Sequence, residues 1–414
     1  MAYDVARIRS WFPALEHGWA LFDGPGGTQT PRQVGAAIAS TLTGPLSNRG
    51  RLGESAQRAD DAVAEFRDAV ADLTGADPRG VVHGRSATQL VYDFSRHLSR
   101  GWGPGDEVVV TRLDHDSNVR PWVQAAERAG ATVRWVAFDP ATGELPVEAV
   151  ASALNERTRL VAVTAASNLI GTMPDLPSIA AAVHAVDALL FVDGVHHAAH
   201  HLPDVRALGA DFLTCSPYKF LGPHCGLLVA DPALLEAIAP DKLLPATDAV
   251  PERFEFGTLP YELLAGVTAA VDVLADLAGP AASPETPVAE IGADASGSRR
   301  TRLERAYAAL HEHESRLLAR LESALADLPG TTVHARASRR TPTLLATFAG
   351  REASVVSDAL AADRVLAPSG NFYALEASRH LGLGDAGGLR VGLAPYTDDE
   401  DVDRLVAALR RVVR

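Results

Sequence analysis

Up to about Pro245 the hydrophobic pattern alternates between two periods. Short, β-branched runs stand at Val81-Val82, Glu107–Thr111, Thr132–Phe138, Arg159–Thr164, Leu189–Asp193, Asp211–Cys215 and Gly226–Ala230. Several are nearly unbroken apolar runs, as strands buried on both faces of a sheet require. Between them lie Ala-rich stretches with helical spacing, such as Val119–Ala129, closed by Gly130, and Ser178–Ala185, preceded by Pro177. Strand and helix in alternation predict an α/β fold with a mostly parallel sheet between helices. Ligands of such sheets bind at the carboxyl ends of the strands, so residues of chemical interest are expected just after the apolar runs.

From about Leu263 the texture changes to longer helices. Pro280–Ser298, rich in Ala, Pro, Ser, Gly and acidic residues, reads as a mobile linker or excursion. A long charged amphipathic helix follows over Arg300–Leu328, then a strand at Leu344–Phe348 and a terminal helix from Asp399. This pattern divides the chain into an N-terminal segment (1–20) packed with the small domain, a large domain (21–262) and a smaller α+β domain (263–414). No internal repeat is present.

Composition narrows the function classes. At roughly 150 residues per domain, 414 residues suit two to three domains. Apolar residues at 47% and charged residues at 22% exclude general disorder. Lys plus Arg number 38 against 52 Asp plus Glu, a net charge of −14, which argues against nucleic acid and anionic membranes as partners. Cys215 and Cys225 are too few for a disulfide framework or a four-thiolate zinc site. The first residues lack an apolar signal core, and Leu263–Leu277 carries Asp272 and Asp276 and is too short for a bilayer. A cytoplasmic protein is expected.

Two strand ends carry the chemistry. Asp193 closes the run Leu189-Leu190-Phe191-Val192, where an unpaired carboxylate is costly. It reads either as a turn residue capping the next helix or as the partner of a cationic cofactor ring. Lys219 follows the next apolar run within Ser216-Pro217-Tyr218-Lys219-Phe220-Leu221-Gly222-Pro223. Alone it is a snorkelling loop lysine or, desolvated, a nucleophilic amine. A lysine and an acid together are what pyridoxal phosphate (PLP) requires, one for the Schiff base and one for the pyridinium nitrogen.

These strings resemble the class V aminotransferase group of fold-type I PLP enzymes, most closely its cysteine desulfurase and selenocysteine lyase branch. The resemblance extends over Leu21–Gly27, Asp114–Asn118 with Pro121-Trp122, Ser167–Thr172, Phe254–Thr258 and Arg390–Ala394. It implies a seven-stranded, mostly parallel sheet in the large domain, and a homodimer with shared sites. It implies that Lys219 holds the cofactor and shuttles the substrate's Cα proton, that Asp193 keeps the ring nitrogen protonated, and that His115 stacks on the ring. Asn168 and His196 are implied near the phenolic oxygen, with Gln the usual residue at the His196 position. Ala87, Thr88, Ser216 and Tyr218 are implied at the phosphate, Tyr218 standing where His is usual, and Thr258 at the phosphate of the neighbouring subunit. Arg390 is implied to clamp the substrate carboxylate, with Asn168, Gly26, Gly27, Asn371 and Tyr373 around the substrate.

Two departures bear on the reaction. Cysteine desulfurases of this branch use a loop cysteine to attack sulfur; here the stretch reads Pro368-Ser369-Gly370-Asn371-Phe372-Tyr373-Ala374, with Tyr373 at that position. A phenol does not replace a thiolate as sulfur acceptor. Pro368 stands where relatives often carry Arg. The resemblance therefore implies an enzyme acting on an amino acid by C–S or C–Se cleavage through a Cα carbanion, with transamination or epimerisation as alternatives. The run His196-His197-Ala198-Ala199-His200-His201 has zinc-like spacing but no completing carboxylate or thiolate, so no metal is expected. Gly24-Pro25-Gly26-Gly27 lacks the third glycine of a dinucleotide fingerprint and a following Gly-Lys-Ser/Thr.

Overall fold

The computed structural model describes residues 3–279 and 297–413; residues 280–296, most of the expected Pro280–Ser298 excursion, lie outside them. Seven strands form the central sheet: β1 (Val81–Gly84), β2 (Glu107–Thr111), β3 (Thr132–Val136), β4 (Thr158–Thr164), β5 (Leu189–Asp193), β6 (Phe212–Cys215) and β7 (Gly226–Ala230). Their order is β1-β7-β6-β5-β4-β2-β3. β7 runs antiparallel to both neighbours and the other pairs are parallel, which is the mostly parallel seven-stranded sheet expected.

Alternation along the strands explains the unbroken apolar runs. Leu160 and Ala162 of β4 join Val108, Val110, Phe191 and Phe212 in the apolar cluster of one face. Val161 and Val163 join Val109, Leu190, Val192 and Leu213 in that of the other. Each strand is buried on both sides, so no polar face interrupts it. Phe191 and Phe212 stack at 5.6 Å across neighbouring strands, worth roughly 0.5–1.5 kcal/mol beyond their buried area.

A second sheet of four antiparallel strands follows: β8 (Thr331–His334), β9 (Thr343–Phe348), β10 (Ser369–Gly370) and β11 (Gly388–Gly392), ordered β10-β11-β9-β8. Leu344, Ala346 and Phe348 pack against Leu317, Leu321 and Leu325 of the helix Arg299–Ala326 and against Val402, Leu405 and Leu409 of the helix Asp399–Val412. Ala20-Leu21 pairs with Val365-Leu366, and Asp23 bridges to Gly392. The Asp23–Gly27 loop is thereby pressed against β11, the strand of Arg390.

Boundaries differ from expectation where a partner or cap decides them. The strand expected over Thr132–Phe138 stops at Val136, because its neighbour β2 ends at Thr111, the last pair being Thr111 with Val136. The helix expected from Ser178 begins at Leu176, since Asp175 accepts from the Ser178 amide and Pro177 fills the first turn. The long helix starts at Arg299 under the Ser298 cap and ends at Ala326. Among the described residues no helix is long and apolar enough to cross a membrane.

Candidate active site

Asp193 and Lys219 arrive at one cavity from neighbouring strands. Asp193 ends β5 and pairs with Thr214 of β6; the chain then turns through Ser216 into a tight turn at Pro217–Lys219. Gly194 after Asp193 has no Cβ for a reason: one would lie 2.6 Å from Leu213 Cδ1. The Asp193 carboxylate accepts from the Val195 amide at 2.9 Å. Burial pushes its pKa up, against that bond and the nearby Lys219 charge. Burial lowers Lys219 to about 8, helped by Arg390 and opposed by Asp193 and Asp23. A buried carboxylate and a buried amine with a low pKa therefore share one wall.

The helix Ala87–Leu98 also begins at this cavity. Its cap Ser86 accepts the Gln89 amide on its hydroxyl and the Leu90 amide on its carbonyl. The amides of Ala87 and Thr88 lack helical acceptors, and both residues line the cavity. Gly226 of strand β7 abuts this helix start, where a Cβ would fall 2.4 Å from the Ala87 nitrogen. A helix N-terminus placed so is an anion site, and Ser216 and Tyr218 line the same cavity.

His115 supplies a neutral ring. Its Nδ1 accepts from the Ser117 amide at 3.1 Å and lies 2.7 Å from the Ser117 hydroxyl. A nitrogen that accepts a backbone N–H carries no proton, so the neutral ring holds its proton on Nε2. Burial, then the charges of Lys219 and Arg390, hold the pKa down to about 3.

Asn168 and His196 also line the cavity. Asn168 Nδ2 donates to the Phe372 carbonyl at 2.9 Å, and its Oδ1 is buried without a partner among the described residues. His196 Nδ1 is likewise buried and unpartnered, while Nε2 meets Thr341 and Thr343. Its neighbour His200 is taken by Glu314, at 3.0 Å to each oxygen.

The other sequence-predicted residues form a second group beside the cavity. Arg390 is buried; Nη2 donates to Asp23 at 2.6 Å, Nη1 to the Asn168 carbonyl at 3.1 Å, and its guanidinium lies 3.7 Å over the Phe372 ring. Gly26 packs on the Asp23 carboxylate and Gly27 on the Tyr218 ring. Asn371 accepts the Tyr373 amide and donates to the Asp385 carbonyl. The Tyr373 carbonyl accepts from the Asp116 amide at 2.7 Å, and this residue, 74% exposed, has its ring 5.6 Å from that of His115. Phe372 and Tyr373 both adopt positive φ, 53° and 60°. Thr258 is not brought to the cavity of its own chain; it lines a separate depression with His83, Arg85 and Phe256.

Sequence reasoning assigned no role to Asp23, Ser117, Thr341, Thr343 or Phe372. Asp23 stood inside a recognised string, but its partner is distant in the chain. The residues fit PLP on their donor chemistry. A buried amine suits its aldehyde and a buried carboxylate its ring nitrogen. Two free helix amides suit its phosphate, and an orphaned His196 nitrogen awaits a partner. Cys215 and Cys225 are both buried away from this cavity, and burial raises both thiols, Cys225 to about 12.

Comparison with known proteins agrees with this geometry. The family pattern described as Aminotransferase class-V matches residues 20–284 and 302–405. The chain is 35% identical to the uncharacterized protein MT3887 of Mycobacterium tuberculosis, over 99% of both chains. It is 32% identical to the aminotransferase-like protein FGM3 of Gibberella zeae, over 100% of this chain and 99% of that one. Among solved structures, the cysteine desulfurase CsdA from Escherichia coli superposes with a TM-score of 0.83 at 27% identity, covering 99% of this chain and 98% of the other.

Proposed function

The chain belongs to the aminotransferase class-V family of PLP-dependent enzymes, in its cysteine desulfurase-like branch, and from that premise we propose that it cleaves the C–S or C–Se bond of an amino acid by β-elimination. Cysteine and water would give sulfide, pyruvate and ammonia, with no sulfur passed to a protein thiol. The observation that carries this reading is that Lys219 and Asp193 line one cavity, with Tyr373 in ring contact with its His115, while neither cysteine lines that cavity.

Bound PLP supplies an electron sink for the pair left at Cα when its proton departs. Lys219 Nζ, whose pKa burial lowers to about 8, would take and return that proton. Asp193 holds the ring nitrogen's proton, and its burial makes a cationic partner favourable. Ala87, Thr88, Ser216 and Tyr218 would hold the phosphate, and His115, Asn168 and His196, which line the same cavity, would hold the ring. Arg390, with Nε unpartnered, orients the substrate carboxylate, and Gly26, Gly27, Asn371 and Tyr373 flank the substrate.

Transamination is the second reading, favoured by the aminotransferase-like name of the Gibberella zeae relative. Epimerisation has less support. It needs a second proton carrier opposite Lys219, and His115 is held near pKa 3 while Tyr373 is largely exposed.

The working unit we propose is a homodimer, with Thr258 serving the neighbouring copy's phosphate. Thr258 lies outside its own cavity beside Phe256, which is 52% exposed. Net charge −14 and two free, buried cysteines support a cytoplasmic location.

The test is to incubate the PLP-loaded protein with L-cysteine, L-cystine, L-selenocysteine and other amino acids. Sulfide or selenide, pyruvate, keto acids and enantiomeric change are then measured. Sulfide and pyruvate in equal amounts support elimination. No cleavage of any sulfur or selenium amino acid, beside clear keto-acid exchange or racemisation, rejects it.

A further inference from the structure

Thr341 and Thr343 close on His196 from the second sheet. Thr343 opens β9, and Nε2 of His196 lies 3.0 Å from its hydroxyl oxygen and 2.9 Å from that of Thr341. All three residues are buried. A buried hydroxyl must place its proton on an acceptor. Thr341 has two in reach, Nε2 and the Gly171 carbonyl at 3.4 Å. Thr343 has one among the described residues, Nε2. The Thr343 proton therefore goes to Nε2, which must carry the lone pair, and the proton of the neutral imidazole sits on Nδ1. That nitrogen is buried, has no partner among the described residues, and belongs to a ring in the wall of the Lys219 cavity.

We infer that Thr343 is a positioning residue whose hydroxyl fixes the Nδ1–H tautomer of His196, so that this ring donates a hydrogen bond to the phenolate oxygen of PLP. The inference rests on the PLP reading above. A side-chain amide offers such a donor without any choice of tautomer; a histidine needs an outside group to choose, and β9 supplies it. Burial, then the charges of His200, Lys219, Arg390 and His197, keep His196 neutral, so one ring proton is left to allocate. Asp193 and His115 line the same cavity, and His200, held by Glu314, packs edge-on at 5.0 Å. Thr343 also pairs with Gly392, two residues beyond Arg390. The group that orients the histidine and the proposed substrate clamp thus sit on adjacent strands.

Two measurements test this. In the PLP-loaded protein the visible band is titrated against pH for the wild type, Thr343→Val and Thr343→Ser. A donor at the phenolate oxygen weakens that oxygen's hold on the proton it shares with the Lys219 nitrogen. Loss of the donor in Thr343→Val should raise the midpoint by about one pH unit, and Thr343→Ser should leave it in place. In cofactor-free wild type labelled with nitrogen-15 histidine, the ring signals lost in His196→Gln should show the Nδ1–H pattern. An unmoved midpoint in folded Thr343→Val, or an Nε2–H pattern, overturns the inference. Should Thr343→Val fail to fold, the labelled wild type decides alone. A wild type that never acquires a visible band defeats the PLP reading instead, and the ring pattern still judges Thr343.

Discussion

Asp23 accepts a hydrogen bond from Arg390 Nη2 at 2.6 Å although 367 positions separate them. The bridge of Asp23 to Gly392 delivers the carboxylate, and Phe372 beneath the guanidinium fixes its plane. Asp23 and the Asn168 carbonyl use Nη2 and Nη1, and the Nε edge is left without a partner. A carboxylate clamp needs both a fixed plane and free donors, and this contact supplies the first without consuming the second.

Gly26→Ala should damage that arrangement selectively. A Cβ there would fall 2.3 Å from the Asp23 carboxylate, displacing it and freeing Arg390 to rotate. Steady-state kinetics should show KM for the amino-acid substrate rising about tenfold, with a smaller change in kcat. An unchanged KM would mean that Asp23 does not orient the clamp.

Lys219→Ala should abolish the covalent attachment and the proton carrier together. After loading with PLP and dialysis, the variant should lack the visible band and lose turnover by about a thousandfold or more. Absorbance and product assay read the two effects independently, and a retained band would remove Lys219 from its role.

Lys219 should also leave a pH signature on the stability of the cofactor-free protein. Its folded pKa of about 8 lies below the ordinary lysine value of roughly 10.4, so between these values the unfolded chain binds more protons. Stability from this group therefore rises as pH increases from about 8 to about 10.4; below that window the burial penalty is fully present, and above it the penalty is gone. Lys219→Met removes the penalty, adding about 3 kcal/mol at pH 7 and almost nothing near pH 11. Urea midpoints of both proteins across this range check it, and a constant difference between them would contradict it.

Replacing both cysteines should spare the reaction. Cys215→Ala with Cys225→Ala removes two buried thiols that are held far from ionisation. Each change should cost roughly 1 kcal/mol of stability through the small cavity left behind. Sulfide release should stay within about threefold of wild type, because the proposed elimination passes no sulfur to either thiol. Abolished release in a folded double variant would require a thiol relay.

Asp193 and Lys219 were legible in the sequence because each closes an apolar run, and a charged residue at that point demands a partner. Gly130 marked a helix end through local capping chemistry and caps that helix in the structure, and the terminal helix begins at Asp399 as expected, under an Asp398 cap. Thr341 and Thr343 gave no such sign. Their role comes from a contact across 145 and 147 positions, and threonine entering a strand is ordinary. The end of β3 was equally hidden, since it depends on where the neighbouring strand stops.

The sequence by itself determined the layered α/β architecture and the two strand ends that carry an amine and a carboxylate. Periodicity and burial cost act within a few residues, so they leave a readable local pattern. Only the tertiary structure decided which hydroxyls meet Nε2 of His196, what steadies Arg390, and that Thr258 lines a depression apart from its own chain's cavity. Those outcomes are set by hydrogen bonds and steric fits between elements far apart in the chain, and such contacts have no period.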